Sequence, residues 1–364
     1  MGLVIMHGPG KGGPGKTTTS LNVATALALE FLKQRLLEIF RECISGARQD
    51  KEKQGKLETR LVQQLISALL QEQALLSENI QPILQRNGIP AELQGPLTSK
   101  IEEAQAVIEI LLIEMDPQLN TSKGLGLTLE DGQSTVYDIL LNPWAGTDYV
   151  VRHSLFGVDI LQARGDMYAV ELTLAGGEEI RREYRLDDAL RQAEGSEQYP
   201  ILQQAIDKYR VIIIDPPPTL GLLTLNAMVA SDKIVTVIDL GAFSLQSLDQ
   251  VHGRLNIAKR LQKANKGHTV ELAGILCNRY IQQAGYIDQC VAAEGSVRRE
   301  YGDLVFETII LQNPRIFDSP TVGVPVQYND PRSTVTKHAS AAYAALAQEY
   351  IRRFQLLDGA ERGK

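Results

Sequence analysis

A glycine-rich segment near the amino terminus has the residue types needed to bind a phosphate group. Residues 10–17 read GKGGPGKT and match the pattern G-x-x-x-x-G-K-[ST] at every fixed position. Glycines allow successive backbone N–H groups to turn inward around phosphate oxygens. The segment therefore predicts a loop in which Lys16 contacts the terminal phosphates of a nucleotide and the Thr17 hydroxyl binds Mg²⁺.

The residues on either side of this loop suit that role. An apolar run, Leu3–Met6, precedes the loop, and a run of helix-forming composition, Thr18–Leu29, follows it. The amino terminus of a helix carries partial positive charge and unpaired N–H groups, and both stabilise a bound phosphate. We therefore expect a strand, the phosphate loop and a helix in this order.

Two aspartates stand at the ends of apolar runs further along the chain. Asp116 follows Ile108–Met115, and Asp215 follows Val211–Ile214. In a parallel sheet the carboxyl ends of the strands line the ligand crevice, so we expect both carboxylates beside the loop. Asp215 would meet the Mg²⁺ shell through water, because Mg²⁺ usually keeps several waters. Taken alone, either aspartate also fits a turn or a helix cap.

Short apolar and β-branched runs alternate with helical patterns over most of the chain. Unbroken apolar runs of this length are typical of strands that are buried on both faces of a sheet. We predict strands at Leu3–Met6, Ile108–Met115, Val158–Leu161, Val211–Ile214, Ile234–Ile238 and Leu272–Cys277. The alternation predicts an α/β protein with a doubly wound, mostly parallel sheet flanked by helices.

Residues 31–105 interrupt that alternation, because they contain no strand signal. Breaks between helices are expected at Asn87-Gly88 and at Gly95-Pro96. One apolar helical face is formed by Leu57, Leu61, Leu65, Ala68 and Leu69. The segment has ten basic and ten acidic residues, so it is neutral overall. We interpret it as a helical insertion packed on the domain, with a partner-binding or self-association arm as the alternative.

Composition excludes several classes of protein. The chain has 364 residues and a formal charge of −7, so no global basic field favours nucleic acid. Three scattered cysteines, Cys43, Cys277 and Cys290, argue against a disulfide framework and a cysteine-based zinc site, and favour a reducing cytoplasm. The first eight residues lack the features of a signal peptide. The sequence contains no apolar stretch of 18 residues, so we expect no membrane-spanning helix.

Length bears on the number of domains. Without residues 31–105, 289 residues remain, which is close to the size of one nucleotide-binding domain with its terminal helices. We therefore interpret residues 1–364 as a single domain that carries residues 31–105 as an insertion.

The phosphate loop also resembles that of a known family. Residues 11–19, KGGPGKTTT, are similar to the deviant Walker A loop KGGxGK[ST] of the ParA/MinD family of P-loop ATPases. The resemblance implies that Lys11 is the signature lysine, which in the family crosses an ATP-bound homodimer and touches the phosphates of the partner subunit. A positive charge supplied in this way acts like an arginine finger.

Further blocks resemble the ParA branch in family order, over residues 1–30 and about 106–355. Those blocks are residues 111–126, 209–221, 231–247, 274–280 and 305–326. The resemblance implies ATP and Mg²⁺ as cofactors. It implies catalytic roles for Lys11, Lys16 and Asp116, with Thr17 and Asp215 at the metal. The nucleotide-binding residues that it implies are Gly12, Gly13, Gly15, Lys16, Thr17, Thr18 and Asn278, the last of them at the adenine edge.

Two positions depart from the family pattern. Glu114 stands where the family usually has aspartate, and Pro216-Pro217-Pro218 replaces the usual Thr-Pro-Pro. Proline lacks the backbone N–H and stiffens the segment in which it lies. These departures favour, as an alternative function, a nucleotide-gated interaction module with little or no hydrolysis.

The resemblance implies a ParA-like ATPase that acts as an ATP-gated homodimeric switch in the cytoplasm, on the nucleoid. It would bind DNA nonspecifically, with Arg279, Arg298 and Arg299 as candidate contacts, and would partition DNA or another large cargo with a ParB-like or cargo-adaptor protein. A MinD-like membrane-surface ATPase is a second alternative. An amphipathic pattern over residues 343–357 has a polar face of mixed charge, which favours docking on the domain over membrane binding.

Overall fold

The computed structural model describes ten stretches of the chain, which are residues 2–8, 15–44, 51–72, 77–144, 151–176, 181–191, 200–240, 244–265, 268–283 and 285–357. Seven strands form one sheet. They are β1 (Leu3–Gly8), β2 (Ile110–Glu114), β3 (Val151–His153), β4 (Asp159–Leu161), β5 (Val211–Asp215), β6 (Lys233–Asp239) and β7 (Glu271–Asn278).

The strand order in the sheet is β3-β4-β2-β5-β1-β6-β7, and every pair except β3 with β4 is parallel. The six predicted strands are confirmed. The sequence did not reveal β3, because a partly exposed edge strand of three residues has too few buried positions to show a pattern. Because β1 lies between β5 and β6, the carboxyl end of β1 lies inside the sheet, at the edge where the carboxyl ends of the parallel strands line a crevice.

Helices cover both faces of this sheet, which confirms the predicted fold class. They are α1 (Lys16–Ile44), α2 (Lys51–Glu72), α3 (Ser77–Arg86), α4 (Ala91–Ala106), α5 (Asn120–Gly124), α6 (Val136–Leu141), α7 (Met167–Gly176), α8 (Arg185–Leu190), α9 (Gln203–Lys208), α10 (Leu222–Ala230), α11 (Ser244–Ala264), α12 (Ile287–Tyr301), α13 (Pro314–Val322) and α14 (Thr334–Phe354). Ile5 of β1 packs into the core layer shared with α1 and α14. Val4 and Met6 pack into the opposite layer, which is shared with α10. This alternation follows from the two-residue period of a strand.

The described part of residues 31–105 is helical, as the sequence indicates. The phosphate-loop helix α1 continues into this segment as far as Ile44, and α2 to α4 follow. Leu61 and Leu65 of α2 are fully buried and belong to the same apolar cluster as Leu36 of α1 and Ile213 of the sheet. The helices therefore pack on the sheet domain as one continuous apolar layer.

The two predicted breaks in this segment have different outcomes. The first is confirmed, because Asn87-Gly88 separates α3 from α4 and Gly88 has a φ of 72°. The second is wrong, because α4 runs through Gly95 and Pro96. Burial of Leu97 and Ile101 beyond the proline holds this helix against the core, which offsets the loss of one backbone hydrogen bond.

The C-terminal helix α14 is docked on the domain, as its mixed polar face predicts. Tyr343, Leu346 and Tyr350 of this helix are completely buried in the layer that contains α1. Among the described residues, none of the helices combines the length and the apolar character needed to cross a bilayer.

Candidate functional site

Lys16 stands at the first position of α1, immediately after β1 and the loop. Its side chain is only 6% exposed. Burial lowers the pKa of Lys16, whereas the negative charges of Asp215 and Asp116 raise it. The structure thus brings together the three side chains that the sequence placed at the ends of β1, β2 and β5.

Gly15 adopts a left-handed conformation at the end of the loop, with a φ of 83°. Its carbonyl oxygen accepts the first helical hydrogen bond, from Thr19 N at 2.8 Å. A Cβ atom at this position would lie 2.6 Å from Asn278 Nδ2, so the end of β7 lies directly against Gly15. Glycine is favoured here because other residues rarely adopt this backbone angle and a Cβ atom would displace the Asn278 amide group.

Three predicted site residues, Lys11, Gly12 and Gly13, lie outside the described residues, and their roles stay predictions. Thr17 and Thr18 follow Lys16 in the first turn of α1. Asn278 is 3% exposed at the end of β7, and its Oδ1 accepts the backbone N–H of Arg279 at 2.9 Å.

Asp215 ends β5 and is completely buried beside Lys16. Its Oδ1 accepts a hydrogen bond from Ser20 Oγ at 3.0 Å, and its Oδ2 accepts one from Thr121 Oγ1 at 2.9 Å. Burial raises the pKa of Asp215, while these hydroxyl groups, Thr17 and the charge of Lys16 oppose that rise. A carboxylate and the Thr17 hydroxyl side by side are hard oxygen donors, so these residues fit Mg²⁺.

Asp116 follows β2 and takes part in a local turn. Its Oδ1 accepts the backbone N–H of Gln118 at 2.9 Å, and the side chain is 7% exposed. The turn that the sequence allowed as an alternative is therefore present. It does not exclude a catalytic role, because the carboxylate also acts electrostatically on Lys16.

Glu114 is a site residue whose role the sequence did not reveal. It lies opposite Asp215 in the sheet and is completely buried. Its carboxylate accepts the backbone N–H groups of Thr121 at 2.8 Å and Ser122 at 3.1 Å. Burial is the main cause that raises the pKa of Glu114 to about 7. Because these donors lie at the start of α5, Glu114 fixes the segment that follows β2. The only sign of this role in the sequence was that Glu114 departs from the family pattern.

Comparison with known proteins agrees with this arrangement. A family model described as an AAA domain matches residues 97–268. The chain is 33% identical to the chromosome partitioning protein ParA of Caulobacter vibrioides over 244 residues, which cover 67% of this chain and 83% of that protein. It is 30% identical to the sporulation initiation inhibitor protein Soj of Bacillus subtilis over 240 residues, which cover 66% and 85%.

The chain belongs to the ParA/MinD family. Its fold is also similar to that of cobyrinic acid a,c-diamide synthase from Mycobacterium smegmatis, a structure with bound ADP and magnesium. That similarity has a TM-score of 0.57 at 17% identity and covers 98% of this chain and 96% of the other.

In this ParA/MinD protein, the three candidate DNA-binding arginines have different surroundings. The Arg279 guanidinium lies 4.9 Å from the centre of the Phe317 ring. Arg298 is held within the protein, because its Nε donates to Glu294 at 2.7 Å and a second nitrogen donates to the Phe306 carbonyl at 3.0 Å. Arg299 is exposed on α12, where its guanidinium group donates to the Ser296 hydroxyl group at 3.1 Å on the same helix. Arg299 is therefore the best placed of the three to meet a large partner.

Ser20 and Thr121 also contribute to the site of this ParA/MinD protein, although the sequence did not single them out. Ser20 lies four residues after Lys16 on α1, so that both side chains share one helical face. Thr121 reaches Asp215 only because Glu114 holds the start of α5. The helical spacing was available as a signal for Ser20, whereas Thr121 required the tertiary structure.

Proposed function

We propose that this protein is a ParA-like, Mg²⁺-dependent ATPase that acts as an ATP-gated dimeric switch. The observation that carries the proposal is the convergence of Lys16, Asp116 and Asp215 at the carboxyl ends of three adjacent strands. In the proposed cycle the ATP dimer binds DNA nonspecifically, and a ParB-like or cargo-adaptor protein stimulates hydrolysis and release. The partition relatives support this proposal. The cargo would be DNA or another large body, and the protein would act on the nucleoid in the cytoplasm.

The proposed chemistry divides among the residues of the site. Lys16 and the N–H groups at the start of α1 bind the β- and γ-phosphates and stabilise the charge that develops on them. Thr17 and Asp215 would hold Mg²⁺, which neutralises phosphate charge when bound. Asp116 orients the attacking water by accepting its hydrogen bond.

Two further contacts complete the proposed nucleotide site. Lys11 would reach the phosphates of the partner subunit across the ATP dimer, where its charge acts in trans. Asn278 would read adenine, because an amide group can donate and accept at once. Its position against Gly15 supports a place beside the nucleotide.

Two single variants test the ATPase proposal. Lys16→Ala should lose ATP binding, and Asp116→Ala should bind ATP but lose its turnover. Matched controls are Lys337→Ala and Asp166→Ala, because both side chains are exposed and neither residue is assigned to the nucleotide site. Unchanged turnover in both test variants would contradict the proposal.

A nucleotide-gated module without hydrolysis is the second candidate function. It is favoured by Glu114, whose carboxylate is occupied by the start of α5, and by the stiff segment Pro216-Pro217-Pro218. ATP-dependent dimerisation without turnover, measured with and without DNA, would support this candidate. A MinD-like membrane role has less support, because the apolar face of α14 is buried in the domain.

A further inference from the structure

A chain of buried hydrogen bonds connects Asp215 with the C-terminal helix. Ser20 Oγ lies 3.0 Å from Asp215 Oδ1 and 2.8 Å from His7 Nδ1. On the other side of the imidazole, His7 Nε2 lies 2.9 Å from the hydroxyl group of Tyr350. All four side chains are completely buried, so water does not compete for these bonds. We name these four residues the Tyr350–Asp215 chain.

One arrangement of donors and acceptors in this chain satisfies an ionised Asp215. That carboxylate has no hydrogen to donate, so Ser20 donates its single hydroxyl hydrogen towards Asp215 at 3.0 Å, in competition with the Lys16 carbonyl oxygen at 3.1 Å. Ser20 then accepts from His7, which places the imidazole hydrogen on Nδ1. The other ring nitrogen, Nε2, is left as an acceptor for the Tyr350 hydroxyl group. Burial lowers the pKa of His7 to about 3, which is consistent with a neutral ring.

We propose that Tyr350 and His7 are positioning residues that orient Asp215 towards Mg²⁺ through Ser20. The inference rests on the proposed function, because it assumes that Asp215 belongs to the metal site. Thr121 donates to one carboxylate oxygen and Ser20 to the other, so both hydrogen bonds oppose rotation of the carboxylate. Outer hydrogen-bond partners of this kind commonly tune the affinity of a metal site.

The Tyr350 hydroxyl group supports the required tautomer of His7 by donating a hydrogen bond to Nε2. Without it, Nε2 is a buried acceptor with no donor, so the Nδ1–H tautomer loses one of the hydrogen bonds that stabilise it. The other tautomer has an acceptor at Nδ1, which competes with Asp215 for the Ser20 hydrogen. The orientation of Asp215 would be weakened although no atom of the metal site had changed.

Packing of α14 places the Tyr350 hydroxyl group correctly. Its ring stacks on Phe306 at 5.2 Å between centroids and meets Phe354 edge-on at 5.1 Å. Tyr350 and His7 are 343 residues apart in the chain, so only the docked helix supplies this donor. The C-terminal helix therefore becomes part of the support of the nucleotide site.

The first experiment compares Tyr350→Phe with Tyr343→Phe in the full chain. Tyr343 is a matched control, because it is completely buried on the same helix and its hydroxyl group does not belong to the Tyr350–Asp215 chain. The readout is the Mg²⁺ concentration that gives half-maximal binding of a fluorescent ATP analogue. We expect this concentration to rise about tenfold in Tyr350→Phe and to stay at the wild-type value in Tyr343→Phe. Equal values in the two variants would overturn the inference.

The second experiment determines the His7 tautomer in the nucleotide-free protein. ¹⁵N chemical shifts of labelled histidine rings distinguish Nδ1–H, Nε2–H and the charged ring, and the His7 signals are assigned by their loss in His7→Gln. We expect Nδ1–H in the wild type and a changed tautomer in Tyr350→Phe. An Nε2–H or charged His7 in the wild type would overturn the chain. If the wild type binds no ATP, the proposed function fails. The tautomer of His7 still tests the Tyr350–Asp215 chain, because it is measured without nucleotide.

Discussion

At the scale of single residues, the site depends on how its buried carboxylates are paired. Asp215 is surrounded by hydroxyl donors and Lys16, whereas Glu114 accepts hydrogen bonds from backbone N–H groups and a serine hydroxyl group. Burial disfavours a charged carboxylate unless such partners compensate. The free energy of burying Glu114 beneath α5 therefore depends on whether the Glu114 carboxyl group is protonated.

This dependence gives a prediction for pH. The pKa of Glu114 is raised from 4.5 to about 7 in the folded protein, so the folded state retains a proton that the unfolded state releases. Stability should fall as the pH rises from about 4.5 through 7. Glu114→Gln removes this loss, and its free energy of unfolding relative to the wild type should rise by up to about 3 kcal/mol over that interval.

Denaturant unfolding at a series of pH values, without nucleotide or magnesium, measures this difference. Glu72→Gln serves as the control, because Glu72 is exposed on α2. Parallel plots of unfolding free energy against pH for Glu114→Gln and the wild type would contradict the prediction. They would show that the Glu114 carboxyl group has the same pKa in the folded and the unfolded protein.

At the scale of elements, helix α2 lies outside the segments that resemble the family, and its packing on the domain gives a prediction for stability. Leu61 of this helix is completely buried, so Leu61→Ala should leave a cavity and cost about 2–5 kcal/mol. Leu172 of α7 is 76% exposed, so Leu172→Ala should change stability by only about 0.5 kcal/mol.

The probe for Leu61→Ala also tests whether the chain is one domain. Trp144 is the only tryptophan and lies outside residues 31–105, so its fluorescence reports on unfolding of the sheet domain. If the helices and the sheet form one cooperative unit, Leu61→Ala lowers the midpoint of the Trp144 transition. A normal Trp144 transition with early loss of helical circular dichroism would mean that α2 to α4 unfold separately.

At the scale of the whole molecule, the charge of −7 opposes DNA, so any binding must come from a local patch. Arg299 is the exposed candidate, whereas Arg298 is engaged with Glu294. In an ATP dimer, Arg299→Ala would remove two phosphate contacts. The slope of log affinity against log salt should therefore become less steep by about 2.

Binding to a random-sequence duplex at several salt concentrations, with ATP and Mg²⁺ present, measures this slope. Arg182→Ala is the matched control, because Arg182 is an arginine with a 45% exposed side chain paired to Glu183. An unchanged slope in Arg299→Ala would place the DNA surface elsewhere on the molecule.

Local patterns in the sequence were sufficient to predict β1 and α1 on either side of the expected phosphate loop, the other five predicted strands, the helical character of residues 31–105 and the positions of Asp116 and Asp215. These features are encoded by residues close together in the chain, because strand and helix periods and loop glycines act over short distances. The break expected at Gly95-Pro96 failed because local propensity is overridden where neighbouring side chains are buried.

The surroundings of the candidate site residues could be described only from the folded structure. Glu114 with the start of α5, Asn278 against Gly15, and His7 with Tyr350 are contacts between elements, and no local pattern specifies them. Each arises where packing brings distant segments together and a buried polar group must find a partner. The types of residue at the site could therefore be predicted from the sequence. The network that orients Asp215 could not, because it forms only when α1, α5 and α14 have packed on the sheet.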